Sequence, residues 1–137
     1  MILVDTGPLV ALFDRADPQH ARCADALKGF TDTLVTTTPV LAEAFHMLGA
    51  NGRGAQALCE FVERDGLTVW HLDRTTLLRA FGLMSQYGDH PMDLADASLV
   101  VAAESLDTRC IFTIDRKDFA SYRIRRGHGY DVFDVVP

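Results

Sequence analysis

The sequence predicts an α/β fold, a three-layer α/β/α sandwich in which helices cover both faces of a mostly parallel, five-stranded sheet. Short apolar runs alternate with longer segments whose apolar residues recur at helical spacing, which is typical of strands joined by crossover helices. The 137 residues, 48% of them hydrophobic, suffice for one domain over residues 1–137 that buries most of its apolar surface. No internal repeat or low-complexity linker divides the chain.

Five strands are predicted from short segments rich in β-branched and other apolar residues. Their ranges are 2–5, 34–36, 67–71, 110–114 and 131–136. Six helices are predicted from apolar residues at helical spacing and from capping or stop residues at the ends. Their ranges are 8–14, 18–30, 38–48, 53–65, 73–87 and 93–106.

Local signals add detail to four of these helices. Asp17 is expected to cap the second helix, with Pro18 at its first position, and Thr38 is expected to cap the third. The helix that begins near Asp93 is apolar on nearly every side, so we expect it to be central and buried. The helix over 73–87 is expected to turn four apolar residues inward: Leu77, Leu78, Phe81 and Met84.

The charge balance argues against a protein that binds nucleic acid by non-specific attraction. Asp and Glu total 19 against 13 Lys and Arg, which gives a formal net charge of −6. A metal-dependent nuclease remains compatible with this charge, because a bound cation offsets the charge of acidic ligands.

The cysteines and the hydropathy pattern indicate a cytoplasmic protein. Cys23, Cys59 and Cys110 form no C-x-x-C pair, and we interpret them as buried thiols in a reducing compartment. The N-terminus lacks a basic region followed by an apolar stretch, and no apolar run approaches about 18 residues. We therefore expect neither a secretory leader nor a membrane span.

Four acidic residues are predicted to share one edge of the sheet. Asp5 and Asp115 directly follow predicted strands, and ligands of open parallel sheets collect at the carboxyl ends of strands. Asp96 lies in the first turn of a helix that leaves the same edge, and Glu43 lies one turn further into its own helix. Carboxylates in contact repel one another by ~4 kcal/mol per pair at an effective dielectric constant of ~20. A bound divalent cation is the simplest way to offset this repulsion.

Each acid also has a local explanation. Asp5 can cap the helix that follows it, and Asp115 can be an ordinary turn residue. Asp93 is interpreted mainly as the cap of the buried helix, whereas Asp96 is a lone acid on an apolar helix and needs a partner. Glu43 lies too far into its helix for a capping box, so only a solvated glutamate competes with a functional role there.

Neighbouring residues extend the candidate site. Thr6 and Thr113 stand beside two of the acids, where a hydroxyl can orient a carboxylate, although both also suit a strand or cap position. Asp118 is a further acid in an Asp-rich turn. The chain has one basic concentration, which is either a phosphate-binding rim or a solvated loop: Arg116, Lys117, Arg123, Arg125 and Arg126.

The chemistry of these ligands favours Mg²⁺ or Mn²⁺ over zinc, because both are hard cations that prefer carboxylate oxygens. The histidines show no ligand spacing: His20, His46, His71, His90 and His128. A cation held by carboxylates can lower the pKa of water toward ~7 and stabilise a pentavalent phosphorus. The residues thus suggest a metal-dependent nuclease.

Four motifs carry a resemblance to a known family. They are LVDTGPL at 3–9, PVLAE at 39–43, DLADA at 93–97 and TIDRKDF at 113–119. In this order and spacing the chain resembles the PIN-domain ribonucleases, and its compact length is similar to that of VapC-type toxins of bacterial toxin–antitoxin pairs. The match spans almost the whole chain.

The resemblance implies a PIN-like fold and a Mg²⁺- or Mn²⁺-dependent endoribonuclease. Its acidic quartet matches Asp5, Glu43, Asp96 and Asp115, and its supporting hydroxyls match Thr6 and Thr113. We expect Asp5 and Asp96 to hold the metal, with Asp93 and Asp118 as supporting acids. Asp96 is preferred to Asp93 because the family pattern places its acid immediately before Ala. The resemblance also implies a homodimer, an RNA substrate and a cognate antitoxin.

Other classes fit less well. A haloacid dehalogenase-type phosphatase needs a second Asp two residues after the first, where this chain has Gly7. The acid pattern of response-regulator receivers and the G-x-x-x-x-G-K loop of P-loop NTPases are both missing from the sequence. Two alternatives stay open: a PIN-fold binding module without turnover, and an RNA-processing PIN nuclease without an antitoxin.

Overall fold

Parallel strands form the central sheet, as the sequence predicts. The structure is a computed structural model that describes residues 1–89 and 91–137, so His90 lies outside the described residues. The strands in chain order are β1 (Ile2–Val4), β2 (Leu34–Thr37), β3 (Thr68–Trp70), β4 (Cys110–Phe112), β5 (Arg123–Arg126), β6 (Gly129–Val132) and β7 (Asp134–Val136). Five of them form one parallel sheet in the order β3-β2-β1-β4-β7, while β5 and β6 form a separate antiparallel pair.

Helices flank this sheet. They are α1 (Thr6–Phe13), α2 (His20–Gly29), α3 (Thr38–Leu48), α4 (Arg53–Glu63), α5 (Arg74–Gln86), α6 (Leu94–Leu106) and α7 (Arg116–Ser121). The prediction that the helix after Asp93 is central is confirmed, since α6 is buried along most of its length and packs against β1, β2, α3 and α5. The short α7 and the β5–β6 pair were not predicted as elements of their own.

Two predicted helix starts are wrong, and side-chain hydrogen bonds explain both. Oδ1 of Asp17 accepts the amide of Gln19 at 2.8 Å and closes a turn, so α2 begins only at His20. The cap of α3 is Thr37 rather than Thr38, because Oγ1 of Thr37 accepts the amide of Val40 at 3.4 Å.

The predicted inward face of α5 is partly wrong. Leu78 and Phe81 keep 50% and 48% of their surface exposed, whereas Ala80 and Leu83 are buried. Apolar residues on α5 cover more than one face of the helix, and only the face that carries Ala80 and Leu83 is enclosed.

The last predicted strand, 131–136, is not continuous. It is interrupted at Phe133, which is buried and packs edge-to-face on Phe119 with ring centroids 5.3 Å apart. Residues before it pair with β5, and residues after it join the sheet beside β4. A strand prediction from composition cannot detect this change of partner, because both halves have the same local pattern.

The thiols also differ from expectation. Cys23 is buried, but Cys59 is exposed and Cys110 is partly buried. The prediction of three buried thiols is therefore wrong for Cys59, which is an exposed residue of α4. In the part of the chain that the structure describes, no helix is both long and apolar enough to cross a membrane.

Two helical glycines should respond oppositely to alanine. A Cβ at Gly54 would lie 2.5 Å from the carbonyl oxygen of Phe13, whereas a Cβ at Gly82 meets no atom within 4 Å. We expect Gly82→Ala to raise the free energy of unfolding by about 0.5–1 kcal/mol, because alanine restricts the unfolded chain more than glycine does. Gly54→Ala should lower it, because α1 and α4 must move apart. Urea unfolding measures both, and equal shifts would contradict the close approach at Gly54.

Candidate functional site

Six carboxylates line one cavity of about 410 Å³. They are Asp5, Glu43, Asp93, Asp96, Asp115 and Asp118. No lysine, arginine or histidine stands among the lining residues of the described chain. The four acids of the predicted quartet thus face the same space, together with both supporting acids. Their roles in chemistry stay a prediction.

The order of the strands brings two of these acids together. β1 and β4 are parallel neighbours in which Val4 pairs with Phe112, so the chain leaves both strands at the same edge. The amide of Asp5 still donates to the carbonyl of Phe112 at 3.0 Å, and Asp115 follows β4 by three residues. Sheet pairing therefore sets the position of the backbone at Asp5.

Asp5 is a buried carboxylate, only 7% exposed. Oδ1 accepts the amide of Thr6 at 2.8 Å and caps α1, while Oδ2 accepts the hydroxyl of Thr113 at 2.7 Å. Burial raises the pKa of Asp5 to about 6; the two hydrogen bonds lower it, and the charges of Glu43 and Asp115 raise it further. The local and the functional explanation both apply here, since one oxygen caps the helix while the group lines the cavity.

Thr113 connects two acids. Its buried hydroxyl donates to Asp5 and accepts the amide of Asp115 at 2.9 Å. Asp115 in turn caps α7, because its Oδ1 accepts the amide of Asp118 at 3.2 Å. The predicted orienting role of the Thr113 hydroxyl corresponds to these contacts.

Asp96 lies at the start of α6. Its amide donates to Oδ1 of Asp93 at 2.8 Å, so Asp93 is the cap of the helix, as the sequence suggests. The partner that a lone acid requires is Tyr122, whose hydroxyl lies 3.2 Å from Oδ2 of Asp96. Burial raises the pKa of Asp96 well above its usual range, and the charges of Asp93 and Asp5 add to the effect.

Sequence reasoning missed Tyr122. The contact joins residues 26 positions apart, and no motif marks the tyrosine. The one available signal was the need of Asp96 for a partner, which does not say where in the chain that partner lies.

Glu43 reaches the cavity from α3 and is partly buried. Desolvation raises the pKa of its carboxyl, and the charge of Asp93 raises it further. Glu43 is the sixth helical residue after the cap Thr37, whereas a capping box places its acid at the third, so Glu43 does not cap α3. Structural demands of α3 therefore do not explain an acid at this point.

The hydroxyl of Thr6 is the one buried side-chain polar atom of the described residues that has no hydrogen-bond partner. The nearby hydroxyl slightly lowers the pKa of Glu43, yet no hydrogen bond of normal geometry joins the two groups. A buried hydroxyl without a partner costs roughly 1–3 kcal/mol. Since Thr6 lines the cavity, a ligand there can supply the missing interaction.

These donors fit a hard divalent cation. Carboxylate and hydroxyl oxygens are the ligands that Mg²⁺ and Mn²⁺ prefer. Burial is the main cause of the raised pKa values of Asp5, Glu43 and Asp96, and the charges of neighbouring acids add to it. Among the described residues, no three acidic, histidine or cysteine side chains stand close enough to form a complete metal site as they are. Repulsion between unneutralised carboxylates favours such a spacing, and a cation would draw them inward.

The predicted basic residues lie outside this cavity. Arg116 donates to the carbonyl of Pro137. Arg126 is a structural residue in part, since its guanidinium donates to the carbonyls of Ala103 and Thr108 at 3.1 and 2.9 Å. The remaining three are exposed: Lys117, Arg123 and Arg125. RNA contacts by these residues stay a prediction.

A larger cavity of about 540 Å³ lies between α3 and α4. Its lining includes His46 and Cys59 but no carboxylate from the described residues, and most of its wall is apolar. The acidic cavity is the better candidate for chemistry, because it concentrates ionisable groups whose pKa values are shifted.

The parallel sheet, its flanking helices and the acidic cavity at its carboxyl edge define a recognisable class. The PIN domain family matches residues 2–125, and this chain belongs to that family. The chain is 30% identical to Ribonuclease VapC26 of Mycobacterium tuberculosis over 139 residues, which cover 99% of this chain and 100% of that protein. The predicted family resemblance is confirmed.

Solved structures agree on the fold. The crystal structure of Mycobacterium tuberculosis VapC20, described as a sarcin-ricin loop cleaving toxin, matches with a TM-score of 0.79 and 18% identity over 86% of this chain and 92% of that chain. A toxin–antitoxin complex from Klebsiella pneumoniae matches with a TM-score of 0.66 and 20% identity over 88% of this chain and 92% of that chain.

We expect Asp5→Asn to stabilise the metal-free protein. The pKa of Asp5 is raised from 3.8 to about 6, so the folded state holds a proton that the unfolded state releases, and the wild type loses stability as pH rises from about 4 to about 7. The full penalty is about 1–3 kcal/mol at 1.36 kcal/mol per pKa unit. Asparagine carries no charge and escapes this penalty, although it can accept only one of the two hydrogen bonds that Asp5 accepts, so the gain is the part of the stability difference that varies with pH.

Thermal melting in EDTA should show a stability gain for Asp5→Asn that is small at pH 4 and complete above pH 7. Lys117→Gln, an exposed charge change outside the cavity, serves as the control. A gain that does not vary with pH would contradict the assigned cause.

Proposed function

We propose that this protein is a Mg²⁺- or Mn²⁺-dependent endoribonuclease and the toxin of a type II toxin–antitoxin pair. The main support is the cavity in which six carboxylates face one another without a basic side chain from the described residues. The relative named a ribonuclease, which matches over the full length, supports RNA as the substrate.

Asp5 and Asp96 are the proposed principal ligands of the cation, assisted by Glu43 and Asp115. Asp5 is held by hydrogen bonds to both of its carboxylate oxygens, and its charge raises the pKa of Asp96. When bound, a hard divalent cation lowers the pKa of water and neutralises charge that develops on the phosphate oxygens. The Thr6 hydroxyl, buried and without a partner, faces the same cavity and can orient a ligand there.

The protein groups supply positioning and proton transfer. Glu43 is partly exposed and lines the cavity, so it can accept the proton of the attacking water, and burial, which raises its pKa, makes it a stronger base than a solvated glutamate. Asp115 and Asp118 also line the cavity, and their negative charge disfavours a phosphate unless a cation offsets it. In-line attack by the deprotonated water would form a new P–O bond and break the bond to the leaving ribose oxygen, which would take up a proton.

The proposal extends to partners and compartment. One solved structure of this fold is a toxin–antitoxin complex, which supports a protein antitoxin as partner. An acidic cavity of this kind suits a basic side chain of such a partner, because opposite charges attract strongly where water is scarce. Cytoplasmic action is consistent with cysteines that form no disulfide in the described chain.

A binding module without turnover is the second candidate. It rests on the same carboxylates, which can hold a basic peptide without any metal. The two functions differ in what the Thr6 hydroxyl and the buried Asp5 contribute, since a peptide cation can be bound by exposed acids alone. Cleavage assays separate the candidates.

We expect purified protein to cleave single-stranded RNA with Mg²⁺ or Mn²⁺ and not with EDTA. Asp5→Asn should reduce the rate at least about 100-fold, because removal of one charge-stabilising group costs about 2.7 kcal/mol or more in comparable sites. Mn²⁺ at 100 times its Kd should also raise the Tm by the equivalent of about 2.7 kcal/mol in wild type.

The control for cleavage is Lys28→Gln on α2, an exposed charge change that touches neither the cavity lining nor the predicted RNA-binding residues and should retain metal-dependent activity. Equal cleavage by wild type and Asp5→Asn would indicate a contaminating nuclease and would remove the enzymatic proposal. Peptide binding with no cleavage under any metal would favour the second candidate.

We further propose a homodimer. Leu78 and Phe81 leave apolar surface exposed, and exposed large apolar groups often mark association surfaces. Light scattering should give twice the 15.1 kDa mass of one chain. A monomer at all protein concentrations up to about 100 μM, well above the dissociation constants of stable dimers, would reject this part of the proposal.

A further inference from the structure

We propose that Tyr122 is a positioning residue that fixes the carboxylate of Asp96 within the acidic cavity. The inference rests on the proposed function, because it concerns how the site presents Asp96 to a cation. It adds a residue that belongs to none of the four sequence motifs.

The first support is direct geometry. The Tyr122 hydroxyl lies 3.2 Å from Oδ2 of Asp96 and 3.2 Å from the carbonyl oxygen of Pro91, so these two acceptors share its single proton. A hydrogen bond to one carboxylate oxygen sets the plane of the group and leaves the other oxygen for a cation. Pro91 lines the same cavity, so the hydroxyl stands at its wall.

The second support is the rigidity of the ring. Tyr122 is fully buried and packs edge-to-face against Tyr87 and Phe119, with ring centroids 5.3 and 5.2 Å away. Phe119 packs in the same way on Phe133. A hydroxyl on a ring enclosed by this cluster has little freedom, so the distance to Asp96 is set by the core rather than by a mobile surface side chain.

The third support is the place of Tyr122 in the chain. It is the residue that ends α7, and its amide donates to the carbonyl of Asp118 at 3.2 Å. Asp115 caps the other end of the same helix. Through its hydroxyl, Tyr122 thus joins the helix that carries two cavity acids to α6, which carries Asp96. The relative placement of the acids depends on this link.

The hydroxyl is a dependable donor. Burial raises the pKa of Tyr122 far above the usual range, and the neighbouring Asp96 charge raises it further. A phenol already carries its proton at neutral pH, so the hydroxyl can donate to the carboxylate there. Tyrosine, unlike phenylalanine, can hold the carboxylate while filling the same apolar space.

The test compares Tyr122→Phe with Tyr87→Phe. Each removes one hydroxyl from the same aromatic cluster, but the Tyr87 hydroxyl accepts the amide of Arg123 and contacts no cavity acid in the described structure. Electron paramagnetic resonance of free Mn²⁺ measures the Kd. We expect Tyr122→Phe to weaken Mn²⁺ binding about 10-fold, as is typical for loss of a group that orients a ligand. Tyr87→Phe should stay within about twofold.

A double-mutant cycle excludes a merely structural effect. In an Asp96→Asn background, Tyr122→Phe should cause no further loss of Mn²⁺ affinity, because the group that it positions is already altered. Melting in EDTA checks that both tyrosine variants are folded. Equal weakening by the two variants, or an additional full loss in the Asp96→Asn background, rejects the positioning role.

The remaining outcomes distinguish this inference from the proposed function. If wild type binds Mn²⁺ no better than Asp5→Asn does, the proposed function fails and takes the inference with it. If wild type binds Mn²⁺ and Tyr122→Phe binds it equally well, the inference alone is overturned. RNA cleavage provides a second reading, in which Tyr122→Phe should lower kcat while KM is unchanged.

Discussion

The concentration of carboxylates around the buried Asp5 is the constraint on which the rest of this structure depends. Strands and helices that converge on one edge of the sheet bring six acids to a single cavity, and burial raises the pKa of the innermost ones, Asp5 and Asp96. A metal-free fold must carry this unfavourable charge, which its apolar core offsets. The cavity thus lowers the stability of the metal-free fold, as is common at functional sites.

Local structural roles and roles in the cavity coincide in this protein. Asp5, Asp93 and Asp115 each cap a helix and also line the acidic space. The coincidence has a physical reason: a helix that begins at the carboxyl edge of the sheet directs its free amides toward that edge, where they favour a carboxylate. Capping therefore helps to hold charge in the cavity, and it does not compete with a functional role as an alternative explanation.

Most errors in the sequence predictions share one cause. They concern which part of the fold covers a given residue, and the spacing of apolar residues does not predict that. Examples are the exposed Leu78 and Phe81 on α5, the break at Phe133 and the exposed Cys59. The predicted start of α2 is wrong for a local reason. The side chain of Asp17 can accept a backbone amide either as a helix cap or within a turn, and here it accepts the amide of Gln19 and closes a turn. The burial of α6 was predicted well, because nearly every side of this helix is apolar.

The sequence by itself determined the class of fold, the parallel strands that end in acids, and the set of carboxylates that a hard cation would need. These follow from short-range rules: residue type, spacing and the direction in which a parallel strand runs. Only the tertiary structure decided that Thr113 donates to Asp5, that Tyr122 reaches Asp96, and that the hydroxyl of Thr6 has no partner. Each of these depends on distances between residues far apart in the chain, and such distances exist only once the core has packed.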